Sequence, residues 1–385
     1  MNPAVSSTSA PWAEGRRCQP GRLLCGGLLA GLLLLMTTGC ASRPVDDPPG
    51  LNLHRLDQQA QALARRGFAG QVMVAIPEGI VFLEGYGLRQ PGLDDTISGQ
   101  HVMPLASVTK PLTASLVLRL AADGLIDLDH PIGHYLDTLD TAWQPVPIRY
   151  FLSHQAGLPA EIVNRDWPGE ARFEPVDRDT FIARLAHFPP DHPPGQGFNY
   201  SNVGYGLMAA LIETVTGQSF EQALAGLLLE PGNIDGLGFD RPGWREQQLV
   251  HARQGNQDKG HYHDRPRLAD GLGFNLRGAG DLLAEPAALA GWWLSIHHHQ
   301  WLPSPWLEQW LEPVAEEPDG SQYGLGLHFR SSPHGAVVGH TGGDFLFAID
   351  WSWFRDREVL VVISSADPRQ EADVIRDRLH RALFP

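Results

Sequence analysis

The sequence contains little lysine and almost no cysteine. Only two lysines occur, Lys110 and Lys259, so that 27 of the 29 basic residues are arginines. Three cysteines occur, Cys18, Cys25 and Cys40, and all of them lie within the first 40 residues. The chain after residue 40 therefore forms no disulfide and offers no thiolate to a metal ion.

The chain also lacks an excess of positive charge. Its 44 acidic residues outnumber the 29 basic ones, which gives a formal net charge of −15 at pH 7. An acidic protein repels nucleic acids and anionic lipid headgroups, and we find no basic cluster, phosphate-binding glycine loop or internal repeat. With 43% hydrophobic residues, 42 glycines and 31 prolines, the composition indicates one large domain, or two lobes around a shared core, with many loops.

No apolar run near the N-terminus is long enough for a comfortable membrane span. The run from Leu28 to Met36 is shorter than the stretch of about 20 residues that a transmembrane helix needs. Basic residues precede this run, and Thr37-Thr38-Gly39-Cys40 follows it. A small residue before a cysteine resembles the lipobox of bacterial lipoproteins, although Thr37 stands where that motif usually has leucine.

This pattern predicts a signal peptide of lipoprotein type over residues 1–39, lipidation of Cys40 and a tether over residues 40–50. The protein would then face the periplasm of the bacterial cell envelope, with the lipid anchor as its only membrane contact. An ordinary secretory signal or a membrane-anchor helix is the alternative interpretation.

Apolar periodicity divides the body, residues 51–385, into two kinds of structure. Helical spacing marks residues 51–67 and 369–383, and strand-like runs occur at 71–76, 80–85, 336–340, 345–354 and 359–365. We predict one antiparallel sheet of about five strands in a discontinuous lobe (about 51–106 and 312–385). A mainly helical lobe (about 107–311) is inserted into it, and a site is expected in the cleft between the lobes.

The rare lysine Lys110 lies three residues after Ser107, in the run Ala106-Ser107-Val108-Thr109-Lys110-Pro111. Positions i and i+3 share one face of a helix, and a neighbouring amine with a lowered pKa can remove the proton of a serine hydroxyl. Pro111 fits a helix only in its first turn, so Ser107 lies at a helix N-terminus, where free N–H groups favour an anion. Taken alone, the pair is also compatible with a helix cap and a surface lysine.

Two later stretches fit a site of this kind. A loop rich in proline and glycine leads to Tyr200-Ser201-Asn202, and a helix is predicted to begin at Val203 and to continue over residues 207–216. Tyr200 and Asn202 can face a cleft from there, although a core aromatic and a helix cap are the plain alternatives. Gly339-His340-Thr341-Gly342-Gly343 ends a predicted strand, where glycines allow a substrate to approach and leave the Gly343 N–H as a donor.

In their order and spacing, these stretches resemble the serine hydrolases related to class C β-lactamases and penicillin-binding proteins. Besides the Ser-x-x-Lys run, the resemblance rests on residues 124–132, 151–159, 200–202, 323–326 and 339–343, and it covers most of the body. It implies an α/β (α+β) fold of the β-lactamase/transpeptidase-like type. It also implies an acyl-serine mechanism on a small-molecule or peptide substrate, with no metal and no organic cofactor.

The resemblance further implies a role for each matching residue. Ser107 would attack the acyl carbonyl, Lys110 would take or share its proton, and Tyr200 would be the other base and the proton donor to the leaving group. The residues assigned to the substrate or the oxyanion are Asn202, His340, Thr341, Gly342 and Gly343, with the backbone N–H groups of Ser107 and Gly343 as the oxyanion hole. Whether Lys110 or Tyr200 is the base for acylation stays open.

One departure from the family pattern has chemical meaning. Relatives that act on β-lactams usually carry lysine at the position of His340, where it meets a substrate carboxylate. Histidine, with an unperturbed pKa of about 6.5, is mostly neutral at pH 7. We therefore expect an esterase or a D-amino-acid peptidase; a β-lactamase or D-alanyl-D-alanine carboxypeptidase is the alternative, and a non-catalytic penicillin-binding or scaffold lipoprotein is the rival from another class.

The remaining conspicuous residues are expected to be structural. His154, next to Ser153, is interpreted as a buried or capping histidine. The stretches His297-His298-His299 and His261-Tyr262-His263-Asp264 suggest metal ligands, but consecutive histidines do not face one way and no convincing third ligand follows. A metal-dependent hydrolase is thus a minor alternative. Five tryptophans are assigned to helix packing, with sugar or lipid stacking as the alternative: Trp292, Trp293, Trp301, Trp306 and Trp310.

Overall fold

The structure is a computed structural model, and it describes residues 47–140, 142–159, 175–239, 243–264, 273–298, 301–344, 346–367 and 372–384. The predicted signal peptide, the lipidation site Cys40 and the first part of the tether lie outside the described residues. None of the helices in the described part is both long enough and apolar enough to cross a membrane.

The α-helices of the described residues occur at both ends of the body and throughout its middle. They are α1 (Leu53–Ala64), α2 (Thr109–Ala122), α3 (Ile148–Leu152), α4 (Arg178–Arg184), α5 (Asn202–Thr216), α6 (Phe220–Leu224), α7 (Glu230–Gly232), α8 (Pro286–His297), α9 (Ser304–Trp310) and α10 (Ala372–Leu383). A 3₁₀ turn, Ala106–Val108, leads directly into α2.

The described strands form one large sheet and two small ones. They are β1 (Gly70–Ile76), β2 (Gly79–Tyr86), β3 (Met103–Pro104), β4 (Leu237–Phe239), β5 (Arg253–Gln254), β6 (Gln257–Asp258), β7 (Leu282–Ala284), β8 (Ala315–Glu316), β9 (Gln322–Tyr323), β10 (His328–Ser332), β11 (Gly335–Gly343), β12 (Ala348–Phe354) and β13 (Val359–Ser365). The large sheet has the order β2-β1-β13-β12-β11-β10-β9-β8, and the small sheets are β3-β7-β4 and β5-β6.

The central strands are apolar on both faces because both faces of the sheet are covered. In β1, Val72 and Val74 pack with α1 and α10, whereas Met73 belongs to the core shared with the helical segments. The same alternation occurs in β13, where Val361 lies on the first face and Val362 on the second. A strand buried on both faces loses its polar positions, which explains its near-continuous apolar run.

The fold is the mixed antiparallel sheet and helix architecture expected from the sequence, with one correction in the size of the sheet. The five predicted strands are present, but three more, β8, β9 and β10, extend the sheet to eight among the described residues. These three are short, and β10 (His328-Phe329-Arg330-Ser331-Ser332) is half-buried and polar. Its sequence therefore shows no apolar alternation, and pairing with β11 and β9 stabilises it as a strand.

The tryptophans of α8 and α9 pack against the sheet. Trp292, Trp293 and Trp310 are fully buried, as is Trp351 of β12. The ring centroids of Trp293 and Trp351 lie 5.1 Å apart with their planes at 79°. The expected packing role of these three predicted tryptophans is therefore confirmed, and they join the helical segments to the large sheet.

Candidate active site

Ser107 and Lys110 are adjacent at the start of α2, as the i, i+3 spacing predicted. Lys110 Nζ lies 3.1 Å from Ser107 Oγ, and the lysine side chain is 0% exposed. Burial lowers the pKa of Lys110 well below the usual value for lysine, because an apolar environment disfavours the ammonium form. Pro111 lies in the first turn of α2, as expected. The geometry thus presents a serine hydroxyl to an amine that readily loses its charge.

A segment that sequence analysis did not single out holds Lys110 in place. Lys110 Nζ donates a second hydrogen bond to the carbonyl oxygen of Ala279 at 2.9 Å. Thr113, one turn later, donates to the carbonyl of Gly278 at 2.7 Å. Gly278 has a φ of +68°, and a Cβ there would come within 3.2 Å of Thr113 Oγ1. The glycines at 278 and 280 are the sequence signal that marks this close approach.

The backbone just before the nucleophile is in an uncommon conformation. Ala106 has a φ of 43°, in the left-handed region that residues other than glycine seldom occupy. The chain is secured on both sides of it: the Leu105 N–H donates to the carbonyl of Leu282 at 2.8 Å, and the Leu282 N–H donates to Thr109 Oγ1 at 3.3 Å. Such strain is maintained where surrounding contacts impose it, and functional sites are a common place for it.

Tyr200 completes the group of three predicted catalytic residues. Its ring centroid lies 4.8 Å from Lys110 Nζ. Burial raises the pKa of Tyr200 above its usual value, and a side-chain hydrogen bond with Ser107 partly opposes this rise. The tyrosine is therefore held as the neutral phenol, which can donate a proton.

His154 is buried, as expected, and it also orients the loop that carries Tyr200. Its Nδ1 accepts a hydrogen bond from the Ser201 N–H at 3.1 Å, and its carbonyl accepts one from the Asn199 N–H at 2.9 Å. Its ring lies 4.3 Å from that of Tyr200 between centroids. Burial, and then the charge of Lys110, lower the pKa of His154 well below its usual value. The residue is thus a neutral support for Tyr200.

The glycines at the end of β11 bring this strand against the turn that carries Ser107. A Cβ at Gly342 would lie 2.3 Å from the carbonyl oxygen of Leu105 and 3.0 Å from the Ser107 nitrogen. A Cβ at Gly343 would meet its nearest heavy atom, the Phe347 carbonyl oxygen, at 3.7 Å. Only glycine at position 342 allows the end of β11 to contact the turn that carries Ser107, whereas Gly343 is open toward the cavity beside Ser107.

His340 lies in the wall of the site, with both of its ring nitrogens engaged within the protein. Nδ1 is 2.6 Å from the carbonyl oxygen of Thr341, so it carries the hydrogen, and Nε2 accepts from Tyr323 Oη at 3.1 Å. Its side chain is 1% exposed, and burial is the main cause that lowers its pKa well below the usual value. The expected neutrality of His340 fits this environment, but its nitrogens are not available to a substrate in this conformation. Its predicted substrate contact is therefore limited to the ring surface.

Asn202 and Thr341 both border the cavities beside Ser107. Asn202 is the first residue of α5, one residue before the predicted start at Val203, and Ser201 occupies the N-cap position. Among the described residues, Lys110 hydrogen-bonds to Ser107 and Ala279 and not to Asn202. Asn202 instead lines a small cavity with Ser107 and Gly343. Thr341 is exposed and lines the larger cavity.

The larger cavity has a volume of about 540 Å³ and opens beside Ser107 and Tyr200. It continues past the end of β11 toward Asp373 and Arg376 of α10. Asp350 in its wall contacts Arg376 at 3.6 Å and Arg330 at 3.5 Å. The site is therefore a cleft with room for an acyl group and a leaving group, and its far end is charged.

The cluster of possible metal ligands among the described residues lies outside this cleft. It consists of Glu246, His251 and His261, and none of the three borders either cavity at Ser107. Next to Ser107 lie the buried amine of Lys110 and the ring of Tyr200.

Comparison with known proteins places these observations in a family. A family model described as Beta-lactamase matches residues 55–384. Among curated proteins, Esterase EstB of Burkholderia gladioli is 30% identical over 193 residues, which cover 46% of this chain and 49% of the esterase. The chain therefore aligns with about half the length of that relative.

Solved structures show the same fold. The D-amino acid amidase of Ochrobactrum anthropi SV3 in complex with L-phenylalanine amide has a TM-score of 0.72 at 18% identity, over 85% of this chain and 98% of the amidase. The octameric penicillin-binding protein homologue of Pyrococcus abyssi has a TM-score of 0.68 at 20% identity, over 82% of this chain and 74% of the homologue. At these identities the likeness concerns the fold.

Proposed function

The chain belongs to the β-lactamase family, and on this premise we propose that it is a serine hydrolase that forms an acyl-enzyme on Ser107. The observation that carries the proposal is the pairing of Ser107 Oγ with the fully buried Lys110 Nζ at 3.1 Å. Burial disfavours the charged form of a lysine, because the ammonium group loses its hydration. The neutral amine can then accept the proton of the serine hydroxyl.

The opposite pKa shifts of the two candidate bases separate their roles. Burial lowers the pKa of Lys110 and raises the pKa of Tyr200. A lowered pKa favours a neutral amine that accepts a proton, and a raised pKa favours a phenol that retains one. We therefore assign Lys110 as the acylation base and Tyr200 as the group that passes a proton to the leaving group.

The proposed reaction has two halves. In the first, Ser107 Oγ bonds to the acyl carbon while its proton moves to Lys110 Nζ. The bond from the carbon to the leaving oxygen or nitrogen then breaks, Tyr200 protonates the departing atom, and Lys110 returns its proton to Tyr200. In the second, water attacks the acyl carbon and loses a proton to Lys110, the bond from that carbon to Ser107 Oγ breaks, and Ser107 Oγ takes the proton from Lys110. The N–H groups of Ser107 and Gly343 are assigned to the oxyanion.

We assign esters and amides, including D-amino-acid amides and peptides, as the substrate class. Two kinds of observation support this choice: the similarity to an esterase and to the fold of a D-amino acid amidase, and the neutral His340 where β-lactam-directed relatives carry lysine. Because His340 is neutral and both of its ring nitrogens bond within the protein, it supplies no positive charge to a substrate carboxylate.

Active-site labelling tests the proposal. The purified full-length protein is treated with a fluorophosphonate probe and, separately, with a fluorescent penicillin, and mass spectrometry locates the adduct. We expect a fluorophosphonate adduct on Ser107 that is lost in Ser107→Ala and slowed at least about 100-fold in Lys110→Ala. Ser115→Ala is the matched control, since Ser115 is a buried serine of the same helix that donates to the Leu112 carbonyl; it should label normally.

Each outcome distinguishes the alternatives. A penicillin adduct on Ser107 would move the assignment to a β-lactamase or a D-alanyl-D-alanine carboxypeptidase. The absence of any adduct from a folded protein would contradict the activated serine and favour the non-catalytic binding protein. Hydrolysis of p-nitrophenyl esters and D-amino acid amides, measured on the same preparation, then separates esterase from amidase activity.

We further propose that Cys40 is lipidated and anchors the protein to the cell envelope on its periplasmic side. This proposal is supported by the order of residues at the N-terminus, where basic residues are followed by an apolar run and then by a small residue directly before Cys40. Growth of the bacterial host with an alkyne fatty acid should label the wild-type protein and not Cys40→Ser. Labelling that persists in Cys40→Ser would contradict this assignment.

A further inference from the structure

A cluster of two histidines and a glutamate lies on the connection between β4 and β7. Glu246, His251 and His261 each present a ligand atom, and these atoms all lie within 4.8 Å of one another. From this arrangement we propose that the protein binds one Zn²⁺ ion between Glu246, His251 and His261. The site is separate from the serine chemistry, and its occupancy does not depend on the proposed hydrolase function.

His251 is prepared as a ligand by its neighbours. Its Nδ1 lies 3.0 and 3.1 Å from the two carboxylate oxygens of Asp258. A carboxylate only accepts, so Nδ1 carries the hydrogen and Nε2 presents its lone pair. A carboxylate behind the distal nitrogen is the arrangement that commonly fixes a metal-binding imidazole.

The second ring nitrogen of His251, Nε2, is available to bind an ion. His251 is only 6% exposed, and its Nε2 has no hydrogen-bond partner in the described part of the chain. A buried polar atom without a partner is destabilising. A metal ion would satisfy it directly.

His261 and Glu246 approach from two other segments. The rings of His251 and His261 lie 5.2 Å apart between centroids, with their planes at 88°. Glu246 is exposed at the start of a 3₁₀ turn and can adjust by rotation about its side-chain bonds. Two imidazoles and a carboxylate form a ligand set typical of zinc.

The ligand atoms of Glu246, His251 and His261 must move closer together to bind one zinc ion. Ligand atoms on one tetrahedral zinc lie about 3.3 Å apart, which follows from metal–ligand distances near 2.0–2.1 Å. Asp264 Oδ1 lies 3.6 Å from His261 Nε2, so a second carboxylate lies beside the cluster. Arg89 donates to the carbonyl of Glu246, and Asp95 neutralises it at 2.5 Å. The local charge therefore favours a divalent cation.

The position of the cluster gives the ion a structural consequence. Tyr262 follows His261 directly, is 3% exposed and lines the small cavity beside Ser107. Binding of Zn²⁺ would therefore hold together the segment that forms one wall of the candidate active site. Of the three ligands, only His261 was considered from sequence alone, where the expectation was that no metal binds.

Zinc titration tests the proposal on the full-length protein without a polyhistidine tag. The protein is stripped with a chelator, exchanged into metal-free buffer, and titrated with ZnCl₂ against a chromogenic chelator. We expect one Zn²⁺ per chain, at least about 100-fold weaker binding in His251→Ala and Glu246→Gln, and about 10-fold weaker binding in Asp258→Asn. Unchanged affinity in His251→Ala and Glu246→Gln, both folded by circular dichroism, would overturn the proposal.

His130→Ala is the matched control for adventitious binding. His130 also has an imidazole neighbour, His134, at 5.4 Å between ring centroids, and a carboxylate neighbour, Asp127, at 3.6 Å, but it is exposed. We expect this variant to bind Zn²⁺ as the wild type does. An equal loss in His130→Ala would show surface binding and contradict a built site.

Two further readouts separate this site from the cysteines of the first 40 residues. Co²⁺ should give ligand-field absorption without a thiolate charge-transfer band, and binding should survive alkylation with iodoacetamide. Loss of binding after alkylation would assign the ion to the cysteines and overturn the proposal. Zn²⁺ should also raise Tm by at least about 2 °C in the wild type and not in His251→Ala; no rise in the wild type contradicts a site formed by the folded protein.

Discussion

Gly342 lies directly against the backbone of Ser107. A Cβ atom at position 342 would come within 3.0 Å of the Ser107 nitrogen and 2.3 Å of the Leu105 carbonyl oxygen, which are separations that packed atoms do not reach. The absence of a side chain at this one position therefore sets the spacing between the end of β11 and the turn that carries the nucleophile.

Gly342→Ala should displace β11 from Ser107 and reduce kcat/KM at least about 100-fold, since loss of an oxyanion donor has an effect of that size. Gly238→Ala is the control, because a Cβ at this glycine of β4 meets no heavy atom within 4 Å. We expect Gly238→Ala to remain within about 3-fold of the wild type. Ester hydrolysis measures both, and equal losses would contradict the steric explanation.

Lys110→Met should separate activity from stability. Methionine fills a similar volume without a buried amine, so Tm should be unchanged or raised, whereas acylation should slow about 100- to 10,000-fold without the base. Lys110→Arg should be equally inactive and less stable, because a buried guanidinium does not deprotonate. Labelling rates and thermal unfolding provide the two measurements; an active Lys110→Met would remove Lys110 from the mechanism.

The pH dependence of acylation should follow the lowered pKa of Lys110. Acylation needs the neutral amine, so kcat/KM should rise with pH through the pKa of Lys110 and then level off. Because burial lowers this pKa well below 10.5, the plateau should begin well below that pH. A rate that still rises steeply up to pH 10.5 would be inconsistent with a desolvated lysine as the base.

His340→Lys should not create a β-lactamase. The position is 1% exposed, and both nitrogens of the native ring bond within the protein. A lysine ammonium there would be buried close to Lys110, whose charge already lowers the pKa of His340 after burial and His328. We expect a lower Tm and no gain in penicillin labelling. Tight penicillin labelling by a stable His340→Lys protein would show that the residue reaches the cleft.

His380 should make the protein less stable in acid. Burial lowers its pKa from 6.5 to about 4, although Asp350 acts in the opposite direction. The unfolded chain therefore binds more protons than the folded one between those values, so stability decreases as the pH falls from about 6.5 toward about 4. The full effect is about 3 kcal/mol, from about 1.4 kcal/mol per pKa unit.

His380→Phe provides the test of this effect, because His380 packs against Phe354 and Phe384 and phenylalanine suits that environment. Denaturant unfolding at pH 7 and pH 4.5 should show a smaller loss of stability on acidification in the variant than in the wild type. The same comparison for the exposed His130→Phe should match the wild type. Identical acid sensitivity in all three proteins would exclude His380 as the cause.

Local sequence information predicted much of the core and the center of the site. The doubly buried strands β1 and β13 were predictable because each apolar run reports burial on both faces. Ser107 and Lys110 were predictable as neighbours because three residues along a helix make almost one turn. The burial of His154 was predicted too, but its bond to the Ser201 N–H, 47 residues away, was not.

Local sequence patterns did not predict the short strands β8 to β10 or the hydrogen bond from Lys110 to the Ala279 carbonyl. Strand β10 is polar and half-buried, so its identity as a strand depends on its partners β11 and β9. The Ala279 carbonyl is a backbone atom, which carries no residue-specific signal, and it reaches Lys110 across 169 positions.

By itself, the sequence determined which residue types can perform the chemistry: one of only two lysines, about one helical turn from a serine; a tyrosine before a helix; and glycines at a strand end. Only the tertiary structure decided their protonation states and directions. It buried Lys110 and Tyr200 so that their pKa values shift oppositely, turned His340 into the wall, and brought Glu246, His251 and His261 together. The physical reason is that desolvation and hydrogen bonding between distant segments depend on the packed neighbours of a group, which the local sequence does not contain.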